Sequence, residues 1–264
     1  MAETNQEIIE ENLPENLKWK HFEMTNLFHP RILGSDYKFF NRKLSKSFTI
    51  KRIKYDQKND KEVSKIRKEI KTLSVLSKIS DSPQYFPLYY GFVNCCESKE
   101  NGKKKYYYSL IFEIQKGTLQ SLIENKRKDG LSFQENLKLL ECLTFGLIKM
   151  KEQNILHQNL KPESILYYQE EDDIFFKLCD FQNLKPKHLN LDNHQIYGSP
   201  EFNYCQYNDF KIPNEFDPFK SDIYSVGLIL LFANSGDLPF SKHIKADDSK
   251  IYKRSLEKKR RSLG

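Results

Sequence analysis

The chain has 264 residues and a mass of 31.4 kDa, with 38% hydrophobic residues, 19 Phe and 15 Tyr. That is enough apolar content for one large core or two smaller ones, and too much for a disordered tail or a coiled coil. A mean hydropathy of −0.70 and a longest apolar run of eight residues, Val226 to Ala233, leave no segment that spans a bilayer core of about 30 Å as a helix.

The amino end is acidic where a secretory or mitochondrial leader is basic. Five cysteines, with Cys95 and Cys96 adjacent and no Cys-x-x-Cys pair, fit neither a disulfide framework nor a zinc ribbon. Both features point to an intracellular protein with reduced thiols, cytoplasmic or cytoskeleton-associated. The net charge of +7 is uneven: residues 1 to 16 carry five Glu and no base, whereas residues 241 to 264 carry nine Lys or Arg against three acids. Such a basic segment is either a solvated tail or one that holds an acidic surface through screened, salt-dependent attraction. Nucleic acid is not the expected partner.

In chain order, residues 27 to 54 alternate apolar and polar positions and end in Ser47 to Ile53, the period of a half-buried strand. Residues 61 to 78 place Val63, Ile66, Ile70, Leu73 and Leu76 at spacings of three and four, which predicts one face of a helix. Further strands are expected at Phe86 to Val93 and Tyr106 to Ile114, with the Asn101-Gly102 step between them suited to a tight turn. From Leu119 the pattern is mainly helical. Phe133 to Gln153 reads as a long amphipathic helix capped by Ser132. After a polar loop at His157 to Ser164, Ile165 to Tyr168 and Phe175 to Leu178 read as a short hairpin.

The loop Ile155-Leu156-His157-Gln158-Asn159-Leu160-Lys161-Pro162-Glu163-Ser164, followed after the hairpin by Cys179-Asp180-Phe181-Gln182, resembles the catalytic loop and metal-binding motif of protein kinases. Other stretches extend the likeness to about residues 27 to 240. Lys51 resembles the strand lysine that holds ATP phosphates, and Glu69, 18 residues on, its helical partner. Phe112-Glu113 is similar to the hinge, Gly198 to Glu201 to the end of an activation segment, and Ser221 to Gly227 to the start of the central helix. The resemblance implies an α+β, two-lobed fold. An acidic segment (1–20) would precede a β-rich lobe (21–115), a helical lobe cut short after the central helix (116–240) and a basic tail (241–264).

The departures fall on the atoms that do chemistry. Where kinases place an aspartate that takes the substrate hydroxyl's proton, this chain has Asn159, and a neutral amide is no base. Loss of general-base catalysis typically costs roughly a hundred- to ten-thousand-fold. Ser164 stands where an asparagine holds the second magnesium, and Gln182 replaces the motif glycine. The phosphate-covering loop, Gly34 to Phe39, keeps one glycine of three and adds Asp36, whose carboxylate repels phosphate. Gln158 replaces an arginine that pairs with a phosphorylated activation segment.

With Lys51, Glu69, His157, Phe181, Glu201 and Asp222 retained, the resemblance implies a pseudokinase: a binding or scaffold module with no catalytic residue. Gly34, Lys51, Glu69, Lys161, Ser164 and Asp180 would be its nucleotide-binding positions and Asp180 its metal ligand. No cofactor is required on this reading, and ATP and magnesium bind weakly if at all. A protein partner would cover the central helix. The alternatives are a weak or atypical ATP-dependent Ser/Thr kinase and a charge-driven adaptor that works through its basic tail.

Overall fold

The computed structural model describes residues 6–27, 36–98, 103–126, 129–181, 197–200 and 217–237. Its amino-terminal part is built on β4 (Lys46–Tyr55), whose side chains divide by parity as a pleated strand requires. Phe48 and Ile50 enter one apolar cluster with Leu17, Trp19 and Phe39. Tyr55 enters the main core on the other face, with Ile53 packed against it. On either side of β4 lie β3 (Asp36–Asn41) and β6 (Lys104–Glu113). With β1 (Gln6–Asn12), β2 (Phe22–Leu27) and β5 (Tyr89–Ser98) they form a six-stranded antiparallel sheet in the order β1-β5-β6-β4-β3-β2.

Helix α1 (Asp60–Leu76) starts at Asn59, whose side chain accepts the Glu62 N–H at 3.3 Å. The expected apolar face is the one that packs: Ile66, Leu73 and Leu76 are buried, and Val63 and Ile70 lie against the same core. Glu69 shares that face and is buried with it.

The strand expected at Phe86 to Val93 begins later and runs further, from Tyr89 to Ser98. A helical turn, α2 (Ser82–Tyr85), with Pro83 in its first turn, is closed by the Phe86 N–H on the Ser82 carbonyl at 2.8 Å, and this keeps Phe86 out of the sheet. The Asn101-Gly102 step lies outside the described residues.

The acidic amino-terminal segment, set apart from the lobe in the sequence reading, is an integral part of it. Residues 6–12 pair with Phe92 to Glu97 as the sheet's edge strand. Gly91 permits this approach: its φ is +134°, and a Cβ there would sit 1.9 Å from the Asn12 carbonyl oxygen. Beyond the strand, the Trp19 N–H donates to Glu11 at 2.8 Å, and the Trp19 ring packs between Phe22 and Phe39.

The helical part contains β7 (Gly117–Thr118), α3 (Leu119–Lys126), α4 (Phe133–Glu152), the hairpin β8 (Ile165–Glu170) and β9 (Asp173–Leu178), and α5 (Pro218–Ser235). A reciprocal cap between Ser132 and Glu135 opens α4. Leu139, Leu143, Leu147 and Met150 form its buried face, while Ile229, Phe232 and Ala233 bring α5 into the same core. The α3–α4 connection is tied to α5 by the Leu131 N–H on the Ala233 carbonyl at 2.6 Å.

The fold is therefore the expected α+β, two-lobed one, a sheet lobe on a helical lobe. The basic tail, and the shortening of the helical lobe that was expected, concern residues outside the described ones. Among the described residues no helix is long and apolar enough to cross a membrane.

Candidate functional site

Three expected residues from distant parts of the chain converge between the lobes. Lys51, on the face of β4 turned toward α1, places its Nζ 2.8 Å from Glu69 Oε1 and 3.3 Å from Asp180 Oδ1. All three are almost fully buried. A lone ammonium in such a place would be costly, and two carboxylates more so, so each is held by the others. Burial alone would raise the Asp180 pKa, but the positive charge of Lys51, with a smaller contribution from Lys161, holds it below the ordinary carboxylate range. Lys161, at the start of a single 3-10 turn (Pro162–Ser164), is half-buried.

Asn159 completes the cluster. Its Nδ2 donates to Asp180 Oδ2 at 2.9 Å, so both oxygens of that carboxylate accept from protein donors. The opposite amide orientation would set Asn159 Oδ1 against a carboxylate oxygen, acceptor facing acceptor, which fixes the assignment. Asp180 and Gln158 hold positive φ values of 64° and 54°, a region unusual for residues other than glycine. Each is held there from outside: Asp180 by Lys51 and Asn159, and Gln158 by Asp222.

Asp222, near the start of α5, accepts the His157 N–H at 3.0 Å and the Gln158 N–H at 2.8 Å through its two oxygens. Burial pushes its pKa up to about 6, against the pull of those two bonds. His157 is fully buried, and burial lowers its pKa to about 4. Its neutral ring donates from Nε2 to the Cys179 carbonyl at 3.0 Å, tying the loop to the segment that carries Asp180. Phe181 then packs edge-on against both His157 and Phe86, with ring centroids 5.6 Å apart in each case. These residues are architecture, and they join the lobes.

Ser164 is fully buried, and its hydroxyl is spent on the main chain. It donates to the Lys161 carbonyl at 2.8 Å and accepts the Lys161 N–H at 3.0 Å. Gly34, Gln182 and Glu201, the other positions singled out by the resemblance, lie outside the described residues. Of Asp36 only the backbone is described, and it stands opposite Lys51 in the β3–β4 ladder.

A narrow cleft, partly open to solvent, lies beside this cluster. Lys51, Glu69 and Asp180 line one end, and Leu73, Phe112, Leu166 and Phe181 give it apolar walls. Sequence reasoning missed a second ion pair at its hinge. The Lys177 ammonium, buried on β9 and 4.6 Å from the centroid of the Tyr168 ring, pairs with Glu113, which also accepts the Leu88 N–H at 2.9 Å. The available signal was a lysine inside the otherwise apolar run Ile174 to Cys179. Thr49 and Gln115 were missed as well. Both line the cleft, and Thr49 Oγ1 and Gln115 Oε1 are buried with no hydrogen-bond partner among the described residues.

Comparison with known proteins agrees with this geometry. The protein kinase domain family matches residues 33–262, so the chain belongs to that family, and the match continues past residue 240 into the basic segment. It is 28% identical over 210 residues to calcium-dependent protein kinase 5 of Plasmodium berghei, a stretch covering 79% of this chain and 33% of the relative. Over 137 residues it is 29% identical to the serine/threonine-protein kinase stk11 homolog of Dictyostelium discoideum, covering 50% of this chain and 22% of the relative. The mouse inhibitor of nuclear factor kappa-B kinase subunit epsilon is 26% identical over 150 residues, with 54% and 21% covered. The chain thus spans a third or less of the length of these relatives.

Kinase domains work with ATP and magnesium, and the residues described here do not fit the ion. Magnesium takes a near-octahedral shell of oxygens at roughly 2.0–2.1 Å. Here the one carboxylate at the expected position already accepts from an ammonium and an amide, and the hydroxyl at the second position faces the backbone. Among the described residues no group of three or more His, Cys, Asp or Glu side chains is placed to hold a metal.

Proposed function

We propose that this chain is a pseudokinase: a protein kinase domain that does not transfer phosphate and acts as a scaffold by binding other proteins inside the cell. One observation carries the reading. The position of the catalytic base holds an amide whose N–H is donated to Asp180. A substrate hydroxyl placed there would meet no group able to take its proton. The exposed side of α5, which no described residue covers, supports the scaffold role. Ile223 is 58% and Leu231 51% exposed, and a Cβ added at Gly227 between them would touch nothing among the described residues. A protein partner that buries this strip, and an acidic surface held by Lys258 to Arg261, are the contacts the reading calls for.

The test is phosphotransfer by purified full chain to itself and to generic Ser/Thr peptides. The expected outcome is no incorporation above that of Lys51→Arg, and no rescue in Asn159→Asp, because Ser164 remains spent on the loop backbone. A second reading, a weak or atypical ATP-dependent Ser/Thr kinase, is favoured by the intact Lys51–Glu69 pair at 2.8 Å. Incorporation well above the Lys51→Arg background would decide for it.

A further inference from the structure

We infer that the cleft binds an adenine nucleotide without a divalent cation, because Lys51 and Asn159 take the place of the ion at Asp180. This rests on the kinase-like reading of the cleft and adds to it what neutralises the remaining acid. In a site with two carboxylates facing each other, repulsion is relieved only by a proton or a cation. Replacing one of them by Asn159 turns the repulsion into a hydrogen bond of 2.9 Å, and Lys51 satisfies the other oxygen from 3.3 Å. Each oxygen of the carboxylate is then engaged by a donor of the protein. A magnesium ion would have to sit beside an ammonium and an amide N–H that already hold this carboxylate, and would gain only one protein ligand. A strongly hydrated ion gains little from such an exchange.

The cleft itself still points to a ligand. The Gln115 side chain is more than nine-tenths buried at the hinge, and its Oε1 faces no protein donor. Thr49 is half-buried, and its Oγ1 on the sheet lobe is likewise sealed with no partner among the described residues. Buried polar atoms without partners are costly and uncommon. A flat heterocycle that carries N–H donors, seated between Leu73, Phe112 and Leu166, satisfies the hinge acceptor with no help from a metal once the Gln115 side chain turns its solvent-sealed Oε1 toward the cleft.

The experiment measures calorimetric binding of ADP and ATP to the full chain, once in EDTA and once in excess magnesium. Saturable binding with dissociation constants agreeing within about threefold between the two buffers is the expected result. Binding that needs magnesium, or no saturable binding in either buffer, overturns the inference. Asn159→Asp restores the carboxylate pair and should make binding tighter in magnesium than in EDTA by at least about tenfold. Equal affinity in a folded Asn159→Asp protein would show that Asn159 does not stand in for the ion. Manganese titrated into the wild type without nucleotide and followed by electron paramagnetic resonance gives a second readout that needs no variant: no bound ion is expected, and a stoichiometric site would refute the idea. Phosphotransfer in magnesium would sink the pseudokinase reading, whereas magnesium-dependent binding without turnover would sink only this inference.

Discussion

Phe48 and Ile50 are sealed on one face of β4 with Trp19 and Leu17, whereas Ile223 and Leu231 on α5 stand more than half exposed. The cover over β4 comes from local chain. The segment that supplies Leu17, Trp19 and the edge strand β1 precedes residue 33, where the family match begins. Among the described residues the helical lobe is sealed where α3, α4, β8, β9 and α5 meet. Away from that contact, Phe133, Leu137, Leu140 and Ile148 form a further exposed apolar stripe along α4. A sealed region expresses burial in its titrations and its backbone constraints. An open one expresses it in what it attracts.

The sealed seam between the lobes should show the largest effect, in its response to acid. The folded-state pKa of His157 is about 4 against an unfolded value near 6.5. From about pH 6.5 down to 4 the unfolded chain therefore binds a proton that the folded chain refuses, and stability falls as pH falls. Asp222 has the opposite sign. Its folded pKa is about 6 against roughly 3.9 unfolded, so over nearly the same interval the folded chain holds a proton that the unfolded chain releases, which adds stability as pH falls. The two contributions offset each other, and urea denaturation should find these two groups nearly silent between about pH 4 and 6. Asp222→Asn removes one and leaves the other. Its stability should then decline relative to wild type by about 1.4 kcal/mol per pH unit across that window. Parallel pH profiles for the two proteins would show that folded Asp222 does not take up a proton in this range, and a flat profile for the variant would show that His157 is not sealed from protons.

Next in size is the sealing of the sheet edge. Gly91→Ala sets a methyl group against the Asn12 carbonyl at a φ of +134°, so either the strand β1 detaches or the backbone strains, at a cost of about 1–3 kcal/mol. Hydrogen exchange separates this from a general loss of stability. Amides of residues 6–12 should lose protection in the variant while those of β4 and β6 keep it. Uniform loss would mean that the amino-terminal segment folds as one unit with the whole sheet and is not a cover added to it.

Legibility in the sequence followed the range of the forces involved. Strand β4 and helix α1 were readable because their apolar side chains recur with periods of two and 3.6, and that period is a local property. The strand at residues 6–12 was not. Gln, Glu and Asn are poor strand formers, and the segment is extended only because distant residues 92–97 offer it a ladder and Gly91 offers it room. The site divides in the same way. Lys51, Glu69, Asn159 and Asp180 were recognisable from motif order and spacing, and the fold brings their side chains together. That Asn159 would donate to Asp180, that Ser164 would turn to Lys161, and that Lys177 would be buried on Glu113 depend on which way side chains point after the lobes close. No local pattern records that.

The smallest expected change in stability, and the sharpest check on the comparison, lies on the open face. Ile223, the bare Gly227 and Leu231 follow one another at steps of four residues along a slanted ridge on one face of α5. Side chains that remain more than half exposed have gained little from folding. Replacing both by Ser should therefore alter the unfolding free energy by no more than about 0.5 kcal/mol per site, the ordinary range for surface substitutions. The association state should respond instead. Wild type at micromolar concentration should self-associate in sedimentation velocity, and the double variant should sediment as a monomer, because the strip that drives contact has become polar. The opposite pairing of results is equally readable. A loss of 2 kcal/mol or more per site, the cost roughly expected for emptying a packed core, with no change in association, would mean that this face is covered by the chain's own residues in solution. The contrast between a sealed sheet lobe and an open helical one would then disappear.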